Sequence, residues 1–426
     1  MILLKMLALM ELATNQTFRQ KAAIAETTLL KIVGQLDQFA LPKQDKVKLF
    51  KAFAIPKMRW VLMVQDLLPT ALAKINCKIE GFIKKWWALP RSASRDAIRL
   101  ALGMPSIIDM AEQGQLLKHH IAQSSKDHNA QAAWKNRKAR NYKPIRKMAA
   151  IFGAELPASR MVAKHKLAAK QSAKLRDTVA KLKIQGQWSK LDMPVDWQRK
   201  WRSLIWGLPT SVTQFATKAA LDILPTKANL LRWHVAMDSG CARCCVKETL
   251  HHVLNNCSHL LKSGAYTWRH NNVLQQLHSD IVKTNIWPTI YVDLPGHTYR
   301  LPFAPDASWR PDLVLLDCKH HIVFVELTVP YEANISSAHA RKTFKYETLL
   351  ENARDAGFLP TLECIEMGSR GVPSKAWSAW TKRQKLKAAT TKVCAQIALR
   401  ASMAIWQTRH SHWPSPDLLG PVADEW

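Results

Sequence analysis

Acidic residues are scarce in this chain: 32 Asp and Glu stand against 62 Lys and Arg in 426 residues, a formal charge of +30. A compact chain so charged repels itself unless a polyanion neutralises it. Nucleic acid is therefore the first expected partner, with affinity that falls as salt rises, and a membrane surface is the competitor. Long apolar runs are also missing, since nothing approaches the roughly 20 residues a bilayer-spanning helix needs. The opening Met1–Met10 is apolar, but no small-residue cleavage site follows, so it reads as a helix and not a signal peptide. No short-period repeat is visible. The eight cysteines are too few and too unevenly placed for a secreted disulfide framework. Four crowd together at Cys241, Cys244, Cys245 and Cys257, while Cys77, Cys318, Cys364 and Cys394 are scattered. That distribution fits an intracellular chain with one metal cluster. The length leaves room for two or three domains.

Four segments are expected. Residues 1–130 read as helical, and Leu72, Ile75, Ile79, Phe82, Ile83 and Trp86 fall on one helical face. The end of that helix, Lys84-Lys85-Trp86-Trp87 through Arg91, mixes cations with indoles in the way that suits a phosphate backbone with stacked bases. Residues 131–196 form a basic linker or nucleic-acid-binding arm. Between Lys135 and Lys200 there are 18 Lys and Arg against only Glu155, Asp177, Asp192 and Asp196, which favours the arm. It opens with Lys135, Arg137, Lys138 and Arg140. Residues 197–280 are Trp-rich and helical around the cysteine cluster. From 286 to 426 strands alternate with helices: strands near Ile290–Leu294 and Thr361–Met367, helices over 336–356 and 377–409. The fold class expected is multidomain α+β, helical for two-thirds of its length and α/β at its C-terminal end.

Cys241, Cys244, His252 and Cys257 follow a C-x2-C-x7-H-x4-C spacing. Two thiolates on a tight knuckle with a His and a Cys on a following helix close a tetrahedral Zn²⁺ site. All four positions come from protein, so the zinc expected is structural. Cys245 and His251 are rival ligands one residue away.

Two apolar runs farther on each hold one carboxylate. Arg310-Pro311-Asp312 leads into Leu313–Leu316, and Glu326 interrupts Val323–Val329, with a short polar turn between them. A carboxylate costs desolvation energy in a buried strand unless a partner offsets it. A shared Mg²⁺ does so, because oxygen ligands at neighbouring strand positions bind one hard cation. Lys342 and Lys345 follow on what reads as a helix. Asp, Glu and Lys around one metal are the working parts of a restriction-type nuclease.

These residues together resemble the C-terminal part of the polyprotein of non-long-terminal-repeat retrotransposons that carry a restriction-like endonuclease. The resemblance rests on the Cys241–Cys257 knuckle followed by Trp268-Arg269-His270-Asn271. It rests also on Arg310-Pro311-Asp312 with Glu326-Leu327-Thr328-Val329-Pro330-Tyr331-Glu332, Arg341-Lys342 and Lys345-Tyr346. Ile55-Pro56-Lys57 through Lys85–Ser92 is similar to the region after the polymerase palm, and Phe215–Lys218 with Asp222–Leu230 to the segment before the knuckle. It spans essentially the whole chain.

The resemblance implies a PD-(D/E)XK endonuclease domain over 286–426 that nicks DNA to prime reverse transcription of element RNA, in the nucleus. Asp312 and Glu326 then hold Mg²⁺, and Lys345 or Lys342 faces the scissile phosphate, because the position two after Glu326 is Thr328 where ordinary restriction enzymes carry lysine. Tyr346 supports the site or packs. Arg310 touches phosphate or anchors the hairpin. Arg269 and His270 join Lys84, Lys85, Arg91 and the arm cations as candidate nucleic-acid contacts. A family polymerase needs an aspartate pair, and no Asp-Asp dipeptide occurs here. The chain therefore reads as a truncated element without DNA synthesis. Its alternatives are an inactive nucleic-acid-binding remnant and a membrane-surface protein.

Overall fold

The computed structural model describes residues 18–64, 67–139, 150–152, 159–194, 196–297, 299–304, 306 and 309–411. Helices dominate a mixed α+β architecture with one small four-stranded sheet. The chain divides once, into compact units Met1–Ser189 and Lys190–Trp426. That single division falls inside the basic segment, where four segments were expected. The expected helix over Met1–Met10 lies outside the described residues.

In the first unit α1 (Phe18–Gln38), α2 (Lys43–Leu49) and α3 (Ile55–Val64) precede α4 (Pro69–Trp86). Proline sits in the first turn of α4, where its missing N–H costs nothing. The periodic face is buried as its spacing predicts, through Ile75, Ile79, Ile83 and Trp86. α5 (Arg95–Leu102) starts on Ser94, whose hydroxyl accepts from the Ala97 amide, and stops at Gly103 in the left-handed region. α6 (Ile107–Ser124) opens with a reciprocal capping box between Ser106 and Asp109. α7 (His128–Ala139) follows. Part of the basic arm forms α8 (Arg160–Ala180), which buries only Ala163, Leu167 and Val179. Ala163 and Leu167 pack with Leu116 of α6.

The second unit begins with α9 (Trp197–Trp206), α10 (Thr210–Ala220) and α11 (Lys227–Arg232). Beyond the cysteine cluster come α12 (Ser258–Lys262) and α13 (Ala265–Val282). The strands are β1 (Thr289–Val292), β2 (Leu313–Leu316), β3 (His321–Thr328) and β4 (Leu359–Glu366), adjacent in that order. β1, β2 and β3 run antiparallel, and β4 joins β3 in parallel. Asp317 shapes the expected hairpin turn, its Oδ1 accepting from the amides of Lys319 (2.7 Å) and His321 (2.9 Å).

A parallel partner needs a crossover, supplied by α14 (Ile335–Lys345) and α15 (Glu347–Asp355). The single helix expected over 336–356 is thus two, broken at Tyr346. That ring is buried with Phe324, Val314 and Leu349, and a straight helix would not deliver it there. The expected 377–409 helix also divides, into α16 (Lys375–Arg383) and α17 (Ala388–Thr408), around Lys385 in the left-handed region.

One buried ion pair ties the early helices of this unit to the sheet. Arg370 Nε donates to Glu332 Oε2 at 2.6 Å, and Nη1 donates to the Ala219 carbonyl of α10 at 3.1 Å. Trp201 and Trp197 of α9 donate to the carbonyls of Arg370 (3.0 Å) and Gly371 (3.2 Å). Removing one member of such a pair strands the other charge away from water. Glu332→Ala is therefore expected to lower the unfolding free energy in urea by about 3–5 kcal/mol. A loss under about 1 kcal/mol would show the pair to be dispensable.

Candidate functional site

The cysteine cluster is built by a tight turn and a widened helical turn. Cys241 N donates to the Val246 carbonyl (2.8 Å) and Cys245 N to the Cys241 carbonyl (2.9 Å), folding the knuckle back on itself. Cys245 takes a left-handed backbone, φ 62°, and is exposed. His252–Asn256 forms a π-helical turn. Cys257 follows at once in an extended conformation, so the turn carries His252 and its end carries Cys257. Ligand atoms of Cys241, Cys244, His252 and Cys257 all lie within 4.8 Å of one another. Cys244 Sγ is 3.3 Å from His252 Nε2 and 3.9 Å from Cys257 Sγ. Tetrahedral zinc with bonds of about 2.3 Å to sulfur separates two sulfurs by about 3.8 Å, so the donor set and its spacing fit Zn²⁺. The rival His251 points elsewhere: its Nε2 meets the side-chain amides of Asn334 (3.0 Å) and Asn256 (3.2 Å).

Burial lowers the His252 pKa and keeps the imidazole neutral, as a ligand must be. Burial pushes the Cys257 thiol up to about 11, and the neighbouring Cys241 and Cys244 add to that. At Cys244 burial acts upward too, but hydrogen bonds involving Val246, Cys241, Cys257 and Ser258 outweigh it and hold the thiol below its usual value.

The second cluster lies at the end of the sheet. Leu313 pairs with Val325, and continuing that antiparallel register by one residue sets Asp312 opposite Glu326. Both are buried, at 9% and 3% exposure. Val292 pairs with Leu313, so the next residue of β1's strand line, Asp293, falls opposite Asp312. Its amide donates to the Asp312 carbonyl at 2.9 Å. Three carboxylates thus occupy one row across three strands, and Asp293 was not among the residues singled out from sequence. Its signal was an aspartate closing a short apolar strand.

Each carboxylate has its own partner. Asp312 Oδ2 accepts from the Leu327 amide (2.7 Å) and meets His270 Nε2 (3.3 Å). Lys342 pairs with Glu326. Arg310 Nη2 lies 3.4 Å from Asp293 Oδ1. Burial raises Glu326, Asp312 raises it further, and Lys342 opposes both. Burial likewise raises Asp293, against Arg310. At His270 burial disfavours the charge, but Asp312 with Asn271 and Glu326 overcomes it and raises the imidazole to about 9. Of the two candidate lysines, Lys342 reaches the carboxylates. Lys345 Nζ lies over the Tyr346 ring at 4.6 Å and donates to its hydroxyl at 3.2 Å. The Tyr346 hydroxyl donates in turn to the Arg310 carbonyl at 3.3 Å.

Residues 183–263 match the family described as zinc-binding in reverse transcriptase. The match covers the whole Cys/His cluster. It supports a retrotransposon-derived protein whose knuckle is a reverse-transcriptase-associated zinc-binding domain. No curated protein matches the chain.

The structure redistributes the expected nucleic-acid contacts. Arg269 is 1% exposed, and its guanidinium donates to the carbonyls of Leu254 (2.9 Å) and Val329 (3.1 Å) and to Ser402 Oγ (3.0 Å). It is a buried clamp and not a phosphate contact. His270 is held at Asp312 and Leu327, and Arg310 anchors the hairpin end at Asp293. Lys84 Nζ donates to the carbonyls of Arg91 (3.1 Å) and Ala93 (2.6 Å). Lys85 pairs with Asp37 at 2.7 Å. Trp86 and Trp87 are core residues, Trp86 donating to Asp37 Oδ1 at 2.8 Å, so the expected base-stacking platform is absent at that helix end. Arg91 and Lys135 are exposed. The side chains of Arg137 and Lys138 and all of Arg140 lie outside the described residues. No described helix is long and apolar enough to cross a membrane.

Zinc binding must displace the Cys257 proton, so apparent zinc affinity is expected to rise with pH by at least about tenfold per unit between pH 6 and 8. Competition with a chromophoric chelator measures this. His252→Ala and Cys257→Ala should lose the ion, whereas Cys245→Ala and His251→Ala should keep one zinc per chain. Zinc loss from either of the latter two would reassign the ligand set.

Proposed function

We propose that the second unit is a metal-dependent DNA endonuclease of a retrotransposon-derived protein, its zinc knuckle helping to hold nucleic acid. The observation that carries this reading is the row of Asp293, Asp312 and Glu326 at one end of the sheet, with Lys342 beside it. The surrounding α/β arrangement, three antiparallel strands, a helical crossover and a parallel strand, supports the reading by setting that row at the end of one sheet. DNA is the substrate proposed, element RNA a second partner, and the nucleus the place where both meet.

The chain's own residues fit a hard cation. Glu326 Oε2 is buried without a hydrogen-bond donor of ordinary geometry, and buried carboxylate oxygens are normally satisfied. Asp312 and Glu326 would hold Mg²⁺, which supplies Lewis-acid polarisation of the phosphate and a more acidic bound water. His270 and the Leu327 amide fix the Asp312 carboxylate, so its orientation is set before substrate arrives. Lys342 brings a positive charge to the edge where a phosphate gains negative charge in the transition state. Arg310 balances Asp293 and keeps the row from repelling itself.

A second reading has one observation in its favour. Lys342 and His270 already neutralise Glu326 and Asp312, as they would in a remnant that keeps the fold and binds nucleic acid without cutting it. Nicking of supercoiled plasmid in Mg²⁺ separates the two. The parent chain should nick, and Asp312→Ala and Glu326→Ala should each lose roughly a hundredfold or more in rate while retaining salt-sensitive DNA binding. Lys342→Ala should fall comparably, and Lys345→Ala far less. Salt-sensitive binding without nicking by any of them would establish the remnant. Equal nicking by all would place the cleavage elsewhere.

A further inference from the structure

The first unit holds a pocket of about 390 Å³ among α3, α6 and α8. Helical spacing builds its walls. Pro56, Arg59, Trp60 and Met63 stand at i, i+3, i+4 and i+7 of α3, and Met110, Gln113, Gly114 and Leu117 repeat that pattern on α6. The two helices touch at Gly114, where a Cβ would meet Met63 Cα at 2.9 Å. The first turns of α8 bring Arg160, Met161 and Lys164 to the third side. The volume lies in the range of roughly 300–1,000 Å³ typical of small-ligand pockets.

Its lining is apolar with a basic rim. Trp60, Leu117 and Ile121 are half-buried and Met161 is exposed, so the apolar wall reaches solvent and is not sealed core. Among the described residues every ionisable group of the lining is basic: Arg59, His120, Arg160 and Lys164. Arg59, Arg160 and Lys164 are exposed, and no described carboxylate pairs with them. A ligand that fits must therefore join an apolar body to negative charge at more than one point. A fatty carboxylate brings one charge to three cations. A duplex keeps its ring faces stacked inside and would leave the apolar wall uncovered. A single strand brings an open ring face with a phosphate on either side, and an indole accepts the face of any base. The thioethers of Met63, Met110 and Met161 supply an adaptable opposite wall.

We propose that this pocket holds one unpaired nucleotide of a nucleic-acid single strand, its base against Trp60 and its flanking phosphates against Arg59, Arg160 and Lys164. The site lies in the first unit and needs neither the zinc, Mg²⁺ nor the carboxylate row, so it goes beyond the nuclease reading and either can fail alone. Capture by stacking is tolerant of sequence. Strands of DNA and of RNA carry the same ring and phosphate chemistry, and the test compares them.

The test measures, by fluorescence anisotropy, binding of the zinc-loaded full chain, with magnesium omitted, to short end-labelled single strands. One strand carries all its bases, and the other is abasic at its central positions with the same phosphates. DNA and RNA versions are run in parallel, and a preference on one of them alone assigns the strand. The parent should prefer the base-bearing strand by roughly tenfold, the worth of one stacked base. Trp60→Leu keeps an apolar side chain and removes the ring face, so it should narrow that preference at least about threefold with abasic binding unchanged. Trp60→Phe should retain most of it. Lys164→Ala changes an exposed side chain and leaves the fold alone. It should weaken both strands alike and lower the slope of log affinity against log salt by about 0.7, whereas Lys174→Ala, exposed on the same helix outside the pocket, should leave the slope unchanged. Absence of strand binding, equal affinity of the parent for base-bearing and abasic strands, an undiminished preference in Trp60→Leu of parental melting temperature, or equal effects of Lys164→Ala and Lys174→Ala overturns the proposal. Equal affinity for the two strands together with binding of dodecanoate would give the pocket to an anionic amphiphile instead.

Discussion

The buried guanidinium of Arg269 is the constraint on which the second unit depends. It stands on α13 and donates at once to the middle of the π-helical turn, to the backbone just past β3 and to α17, through Leu254, Val329 and Ser402. Burial pulls its pKa down to about 10, which still leaves it charged at neutral pH, so each hydrogen bond it donates is charge-assisted. The Val329 carbonyl also accepts from Asn255. One carbonyl thus joins the zinc knuckle, the helix behind it and the strand that carries Glu326. His270, the next residue, meets Asp312 and the Leu327 carbonyl. Two consecutive residues of one helix therefore set the position of both clusters. The knuckle is not an independent finger on a tether, and metal loss at Cys257 would be felt at β3 through the same contacts.

What the sequence disclosed follows from how local each signal is. The hairpin was legible because Leu313–Leu316 and Val323–Val329 are apolar runs of strand length, and the carboxylates of Asp312 at the start of one and Glu326 inside the other stand out against desolvation. The zinc ligands were legible because four side chains of the right type fall within seventeen residues. Asp293 was not, because its place beside Asp312 depends on the pairing of Val292 with Leu313, and register is a non-local property. His252 was chosen over its rival His251 from the spacing, and the four ligand atoms that come together are those of Cys241, Cys244, His252 and Cys257. The two helix breaks were closed to sequence as Asp293 was. Neither Tyr346 nor Lys385 is a breaker residue, and no Gly or Pro lies between Ser336 and Ala356. The chain turns at Tyr346 because the core over β2 and β3 takes its ring.

The misplaced contacts share one cause. Lys84, Lys85, Trp86 and Trp87 have the composition of a nucleic-acid surface and also that of a helix end whose indoles face inward. Asp37 decides between them, accepting from Trp86 and pairing with Lys85. Arg269 was misjudged for a related reason: exposed arginine is the norm, and a buried one becomes visible only with the carbonyls that receive it. Charge and aromatic content identify the partners a chain tolerates, whereas burial identifies which side chains are left to touch them.

The scarcity of acids is sharper on the surface than in the composition. Glu80, Glu248, Asp312, Glu326, Glu332 and Glu366 are buried, against only Arg269 and Arg370 among the described cations. Surface Lys and Arg therefore have few neutralising neighbours within the roughly 10 Å over which charges act at moderate salt. On the proposed function, a phosphate strand would be drawn to such a surface. The same strand is repelled by an unbalanced row of three carboxylates. It can settle at Asp293, Asp312 and Glu326 only if positive charge stands among them, and that role falls to Arg310, His270 and Lys342 in the free protein. A divalent cation would do it more compactly, and would release Lys342 from Glu326 to face the strand. In the free protein the row is therefore neutralised by side chains from three elements, with Lys342 on Glu326, His270 on Asp312 and Arg310 on Asp293.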